Sequence, residues 1–358
     1  MLIRSSEKRD WANLYRDAVR EIAGKLLAVD VAEYIRLRAV CKPWRISTDA
    51  PSWEPKFFPR NWLVLKHDAD EDDVAPPANP AVAHLFVNVL TGTTLRIHLP
   101  AFEEYGDYIA GAEGLLLFHN ASTDTVRVFN PLTRATAILP GFFAGLPPVV
   151  AEEEAVNLTA AGVIVTADGN APAASPTVVL VLALPLTTVI LCAKPGDDHW
   201  GTVDAGVIEV ANNGDVLPPF HGGLSVQGGF YVPTRHGDVL RVELHPKPHL
   251  VYVARPPDRR LCRAWAKSLG PVVLVPSLDV DDVGGDNDGM LLVRILVGAI
   301  DVLGVHLGSG RYTRIPELGN RSIFLPGRTI LADKFPSFPP LEIGTVHLNE
   351  DIEDYIAG

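Results

Sequence analysis

FVNVLTGTTLRIHLP at residues 86–100 and VRVFNPLTRATAILP at residues 126–140 are two copies of one pattern. Each reads strand, Asn-x-x-Thr turn, strand, then Leu-Pro. The closing prolines lie 40 residues apart, and the turn asparagines, Asn88 and Asn130, lie 42 apart. A third partial copy, VLGVHLGSGRYTRIP, ends at Pro316, which is 176 residues or four steps of 44 beyond Pro140. A period of about 40–50 residues with four strands per unit is that of β-propeller blades. Such a unit cannot bury its own faces, while radial packing buries them and leaves short, protected edges. Residues 60–358 then hold six such units, or seven. A β-sandwich is the alternative, because 141–298 contains no clear copy.

Alternation outside the copies agrees. Leu85, Val87 and Val89 alternate with polar neighbours, as do Leu95, Ile97 and Leu99, Val126 and Val128, and Leu240, Val242 and Leu244. Period two is the signature of half-buried antiparallel strands. The 30 Gly and 30 Pro suit many short strands joined by tight turns. The uncharged run at 171–193 matches a membrane span in length, which needs about 20 apolar residues. It carries Pro172, Pro176 and Pro185 and is rich in Val, Thr and Ile, so it reads as two buried strands at 178–184 and 188–193.

The first fifty residues are different. Val19, Ile22, Ala23 and Leu26 fall at i, i+3, i+4 and i+7, one face of a helix. Asp30 is a candidate N-cap for a second helix, with Val31, Tyr34, Ile35 and Leu37 on its apolar side. Pro43 suits the first turn of a third. Residues 1–50 are therefore expected to form a three-helix module. Residues 51–59 (PSWEPKFFP) read as the linker to the β-domain. So small a module buries little surface alone, and something should cover its apolar face.

The chain has 358 residues and a formal charge of −12, which argues against nucleic-acid binding as its main work, since phosphate backbones demand a basic face. Cys41, Cys192 and Cys262 are odd in number, far apart and without a C-x-x-C pair, which excludes a disulfide framework and a short-range zinc site. The charged MLIRSSEKRDW start is not a secretory leader, so cytosol or nucleus is expected. No phosphate-binding, dinucleotide, HExxH or nucleophile-elbow motif is present; Gly223-Leu-Ser225-Val-Gln227 lacks the second glycine. The acidic loop at 279–289 fails as a calcium loop, with Val283 at its fifth position and Met290 at its twelfth. His245 and His249 flank Pro-Lys-Pro without a third ligand. The basic cluster Arg255, Arg259, Arg260, Arg263 and Lys267, with Trp265 among it, reads as an exposed connection rather than a phosphate pocket. No cofactor, metal or catalytic residue is expected.

Trp11-Ala12-Asn13-Leu14, Asp17, Ile22, Leu26, Asp30 and then RAVCKPWR at 38–45 resemble an F-box of the plant type. The rest of the chain, from residue 60, resembles the KIB-type β-propeller. The residues carrying that likeness are RNWLVL at 60–65, NPLT at 130–133, CAKPGDDHW at 192–200, GGFYV at 228–232 and KSLG at 267–270. The resemblance implies a mainly β protein, a propeller behind a three-helix F-box module. It further implies a non-catalytic subunit that docks on a Skp-type adaptor of an SCF-type (cullin-RING) ubiquitin ligase and presents a target protein on the propeller. Leu14, Ile22, Leu26, Val40, Cys41 and Trp44 match the F-box apolar pattern, as docking residues or as core. Trp44 is expected to close that core, at a cost of about 3–5 kcal/mol on replacement by alanine. The pattern departs at Leu14-Tyr15, where F-boxes usually carry Leu-Pro, and at Arg16 and Ala18. The alternative is therefore a propeller interaction module whose helices cap the β-domain and bind no adaptor. A third reading is a hydrolytic propeller, which would need acids or histidines converging in its channel.

Overall fold

The computed structural model describes residues 10–65, 83–88, 91–99, 106–143, 146, 156–165, 176–184, 187–205, 220, 222–256, 269–277, 289–296, 299–316, 323–324 and 346–347. Cys262, Arg259, Arg260, Arg263, Trp265 and Lys267 lie outside them, as does the acidic loop at 279–289 except Gly289.

Three helices come first: α1 (Arg16–Val29), α2 (Val31–Val40) and α3 (Lys42–Ser47). Asp30 is extended (φ −157°) between the first two, and its carboxylate accepts the Ala32 N–H, the capping role expected of it. Pro43 sits in the first turn of α3, where its missing N–H costs nothing. Val19, Ala23, Val31, Tyr34 and Leu37 form the helical core, and Phe57 completes it. The stretch read as the linker is packed at its aromatic residues: Phe57 is fully buried, and Phe58 joins the core of the β-domain. Two adjacent aromatic rings are too apolar to be left in water.

The body is mainly β. The first sheet pairs β1 (Trp62–Leu65), β2 (Ala83–Asn88) and β3 (Thr94–His98). Four antiparallel meanders of four strands come next along the chain. The second sheet holds β4 (Asp107–Ala112), β5 (Leu115–Asn120), β6 (Thr125–Phe129) and β7 (Thr136–Leu139). The third holds β8 (Asn157–Ile164), β9 (Thr177–Leu184), β10 (Thr187–Ala193) and β11 (Gly201–Thr202). The fourth holds β12 (Leu224–Val226), β13 (Gly229–Pro233), β14 (Val239–Glu243) and β15 (His249–Ala254). The fifth holds β16 (Leu269–Pro276), β17 (Gly289–Leu296), β18 (Ala299–His306) and β19 (Arg311–Arg314). A short parallel pair, β20 (Ile323–Phe324) and β21 (Val346–His347), comes last.

Successive sheets pack face to face, and this explains the most apolar runs. In β5, Leu116 and Phe118 face the first sheet, while Leu115 and Leu117 face the third. In β9, Val178, Leu180 and Leu182 face the second sheet, while Val179 and Val181 face the fourth. A strand covered on both sides has no polar face, which accounts for the membrane-like stretch. Antiparallel β9 and β10 are the two strands expected there. Among the described residues no helix is long and apolar enough to cross a membrane.

The even step of 44 does not hold. Three four-stranded sheets, not four, occupy the chain between Pro140 and Pro316 among the described residues. Long connections, such as those between β8 and β9 and between β11 and β12, lengthen each unit. The three copies still share one turn. Gly92 N–H bonds the Asn88 carbonyl, Arg134 N–H the Asn130 carbonyl and Gly310 N–H the His306 carbonyl, each at 2.8 Å. Gly92, Arg134 and Gly310 occupy the left-handed region at φ 67°, 61° and 65°.

Candidate docking surface

The helical module turns part of its apolar surface outward. Among the described residues eight large apolar side chains are exposed, and six of them are Trp11, Tyr15, Ile22, Val29, Val40 and Ile46. Ile22 and Val29 lie seven residues apart on one side of α1, and Tyr15 stands exposed at its N-cap. Ile22, placed by the periodicity on the inner face, is 42% exposed. The buried side of α1 is centred on Val19 and Ala23, with Leu26 and Leu27 half-buried, and Ile22 falls on its flank.

The six matched residues therefore divide. Leu14, Leu26 and Trp44 pack on the helical core, Ile22 and Val40 face solvent, and Cys41 is half-buried before α3. Trp44 is half-buried. It lies against the outside of the core, and its indole N–H donates to the Trp11 carbonyl at 3.1 Å. That bond ties the turn Trp11–Asn13 to α3 and steadies the approach to α1, whose N-cap Tyr15 supplies no side-chain cap. The ends of α2 and α3 are cross-tied. Arg38 donates to the Thr48 carbonyl at 2.6 Å, Arg45 Nε donates to the Arg38 carbonyl at 3.1 Å, and the Tyr34 hydroxyl donates to the Asp49 carbonyl at 2.8 Å.

The opposite side of the module meets the β-domain through polar groups that sequence reading misses. Asp30 Oδ1 accepts the Trp62 indole N–H at 2.8 Å as well as its cap, and Oδ2 accepts Asn88 Nδ2 at 3.1 Å. Asn130 Nδ2 donates to the Phe57 carbonyl at 2.8 Å. Trp62, Asn88 and Asn130 are all buried. The one signal for this in the sequence is the shared place of the two asparagines in the repeat.

The CAKPGDDHW motif of the β-domain shapes a turn and a contact between sheets. In CAKPGDDHW, Asp197 Oδ2 accepts the Lys194 N–H at 2.7 Å, shaping the β10–β11 turn. Trp200 is buried and its indole donates to the Pro140 carbonyl at 2.7 Å, fastening the third sheet to the second. Cys192 is buried, and its thiol is pushed up to about 11 by burial, with Asp197 adding and Lys194 opposing. An open depression of about 480 Å³ lies beside this turn, bordered by Lys194, Asp198, His199 and His245. Among the described residues no group of three or more His, Cys, Asp or Glu is placed to hold a metal.

Four-stranded meanders packed face to face define a β-propeller interaction domain, here carrying a helical appendage. Residues 60–339 match the KIB1-4 beta-propeller family, and the chain belongs to it. Comparison with curated proteins yields no match. Among solved structures it is similar to YCF48 from Cyanidioschyzon merolae at 11% identity, covering 65% of this chain and 66% of that one, TM-score 0.35. It is also similar to a putative 6-phosphogluconolactonase from Bacteroides uniformis at 14% identity, covering 71% and 66%, TM-score 0.32. The β-propeller domain of Cps50 (Swd1) from Myceliophteria thermophila gives 13% identity over 58% of each chain, TM-score 0.29. The chain spans just under two thirds or less of each.

Proposed function

We propose that this protein is the substrate-recognition subunit of an SCF-type (cullin-RING) ubiquitin ligase. The helices are an F-box that docks on a Skp-type adaptor, and the β-domain, a propeller of six or seven blades, holds the target protein. The chain recruits, in cytosol or nucleus, and other subunits transfer ubiquitin. The observation carrying this reading is the distribution of exposed apolar side chains: among the described residues, six of the eight large ones lie within residues 11–46. Scattered single exposures are ordinary, whereas their concentration on one small module is a mark of an interaction surface. Trp44 and the turn Trp11–Asn13 support it too, since they hold the start of α1 where the usual proline is missing.

The test is retention of a purified plant Skp adaptor by the full chain, beside Ile22→Asp and Val40→Asp. Both sites are exposed, so folding should survive. Retention by the parent and a loss of about tenfold or more in the variants is the expected result, the size of an interface anchor. No retention by the parent overturns the docking role and leaves a stand-alone interaction propeller.

A further inference from the structure

We propose that Asp30, Asn88 and Asn130 form a bolt that makes the helices and the first two sheets one folding and moving body. A partner held on the helices then stands at a fixed angle to whatever the β-domain holds. The bolt itself is independent of who that partner is.

A helix cap needs one carboxylate oxygen, and Asp30 uses both. It receives donors from its own helix (Ala32 N), from β1 (Trp62 Nε1) and from the last residue of β2 (Asn88 Nδ2). Asn130, at the same turn position in the second sheet, reaches the Phe57 carbonyl. Each asparagine also holds its own turn: Asn88 Oδ1 accepts Thr91 N–H at 3.2 Å, and Asn130 Oδ1 accepts Thr133 N–H at 3.1 Å. One repeated side chain thus shapes the blade with its oxygen and grips the helical module with its nitrogen. In the third copy the position is His306, whose ring meets Thr313 Oγ1 at 2.7 Å. An imidazole has no amide to make the same pair of bonds, so the double use of asparagine belongs to the first two sheets. Apolar packing crosses the same boundary. Ala32 belongs to the core shared by the first two sheets, and Leu132 touches both that core and the helical one. Stripping the helices would take the Asp30 acceptor from two buried donors, the kind of loss that costs far more than an exposed bond.

The chemistry supplies a swap test on the full chain. Asp30→Asn sets an amide N–H₂ against Asn88 Nδ2, and Asn88→Asp sets a carboxylate against Asp30. The double variant D30N/N88D restores one donor facing one acceptor, keeps an oxygen for Ala32, Trp62 and Thr91, and leaves composition and charge unchanged. Thermal unfolding gives stability, and amide hydrogen exchange gives coupling. In the parent, α2 and β2 should open together. Each single variant should lower the unfolding midpoint by about 2–4 °C and let α2 exchange ahead of β2. The double variant should recover at least half of the shift and the joint opening. Losses that simply add in the double variant, or α2 and β2 still opening together in D30N, overturn the bolt. Neither readout involves the adaptor, so failure of the docking role would be seen separately.

Discussion

Phe57→Ala should destabilise the protein by about 3–5 kcal/mol, the usual cost of emptying a fully buried aromatic site. Phe57 has no exposed surface and lies among Val19, Ala23, Val31, Tyr34 and Leu37. Its ring centroid is 5.6 Å from that of Tyr34 at 47°, and such a pair contributes about 0.5–1.5 kcal/mol, largely contained in the cost of emptying the site. Its carbonyl bond to Asn130 survives the substitution, so the loss reads packing alone. The contrast is Trp44→Ala. That indole only leans on the core and donates one hydrogen bond to the Trp11 carbonyl, so it should cost about 1–2 kcal/mol, one bond plus partial apolar cover. Urea unfolding followed at the helical circular-dichroism band measures both. On a total stability of about 5–15 kcal/mol, Phe57→Ala removes a large share and Trp44→Ala a small one. A Trp44→Ala cost equal to or above that of Phe57→Ala would refute the placement of residues 51–59 inside the helical core.

Two further predictions concern titrating groups. Cys192, with its thiol raised to about 11, should resist iodoacetamide at pH 8, where roughly one part in a thousand is thiolate, and should label fully in urea; peptide mapping reads this, and rapid native labelling would contradict the burial. Glu113 has its carboxyl raised by burial, which outweighs the lowering from its Arg60 partner. A carboxyl raised on folding contributes stability that is present below its unfolded value, near 4.5, and lost as pH rises through the higher folded value. Glu113→Gln should therefore match the parent at pH 4 and exceed it in stability at pH 7.5, read as urea midpoints, whereas a less stable variant at pH 7.5 would mean the Arg60 pair outweighs the burial.

Much of the fold is legible because its determinants are local. The Asp30 cap, Pro43 in a first turn and the alternation of Val126 with Val128 need only neighbours in sequence, and all three stand as read. The faces are harder. In β2 the alternation of Leu85 and Val87 suggests the inner face, yet His84, Phe86 and Asn88 are the buried set and Leu85 and Val87 are half-buried. With Leu85 and Val87 themselves half-buried, neither face of β2 is open enough to water to set the phase, and a polar residue can be buried if a distant partner satisfies it. Ile22 escapes for the opposite reason: helical periodicity locates a face to within one residue on either side, and Ile22 lies at its margin. Asp30 shows where sequence reading ends. Its cap bond spans two residues and is visible, while its bonds to Trp62 and Asn88 span 32 and 58. Those depend on how the first sheet closes under the helices. In sequence the asparagine repeat is turn chemistry, and only the fold adds that the same residue, through its other side-chain atom, seats the helices. With that polar side fixed to the β-domain, the helical module keeps Tyr15, Ile22 and Val29 exposed to solvent.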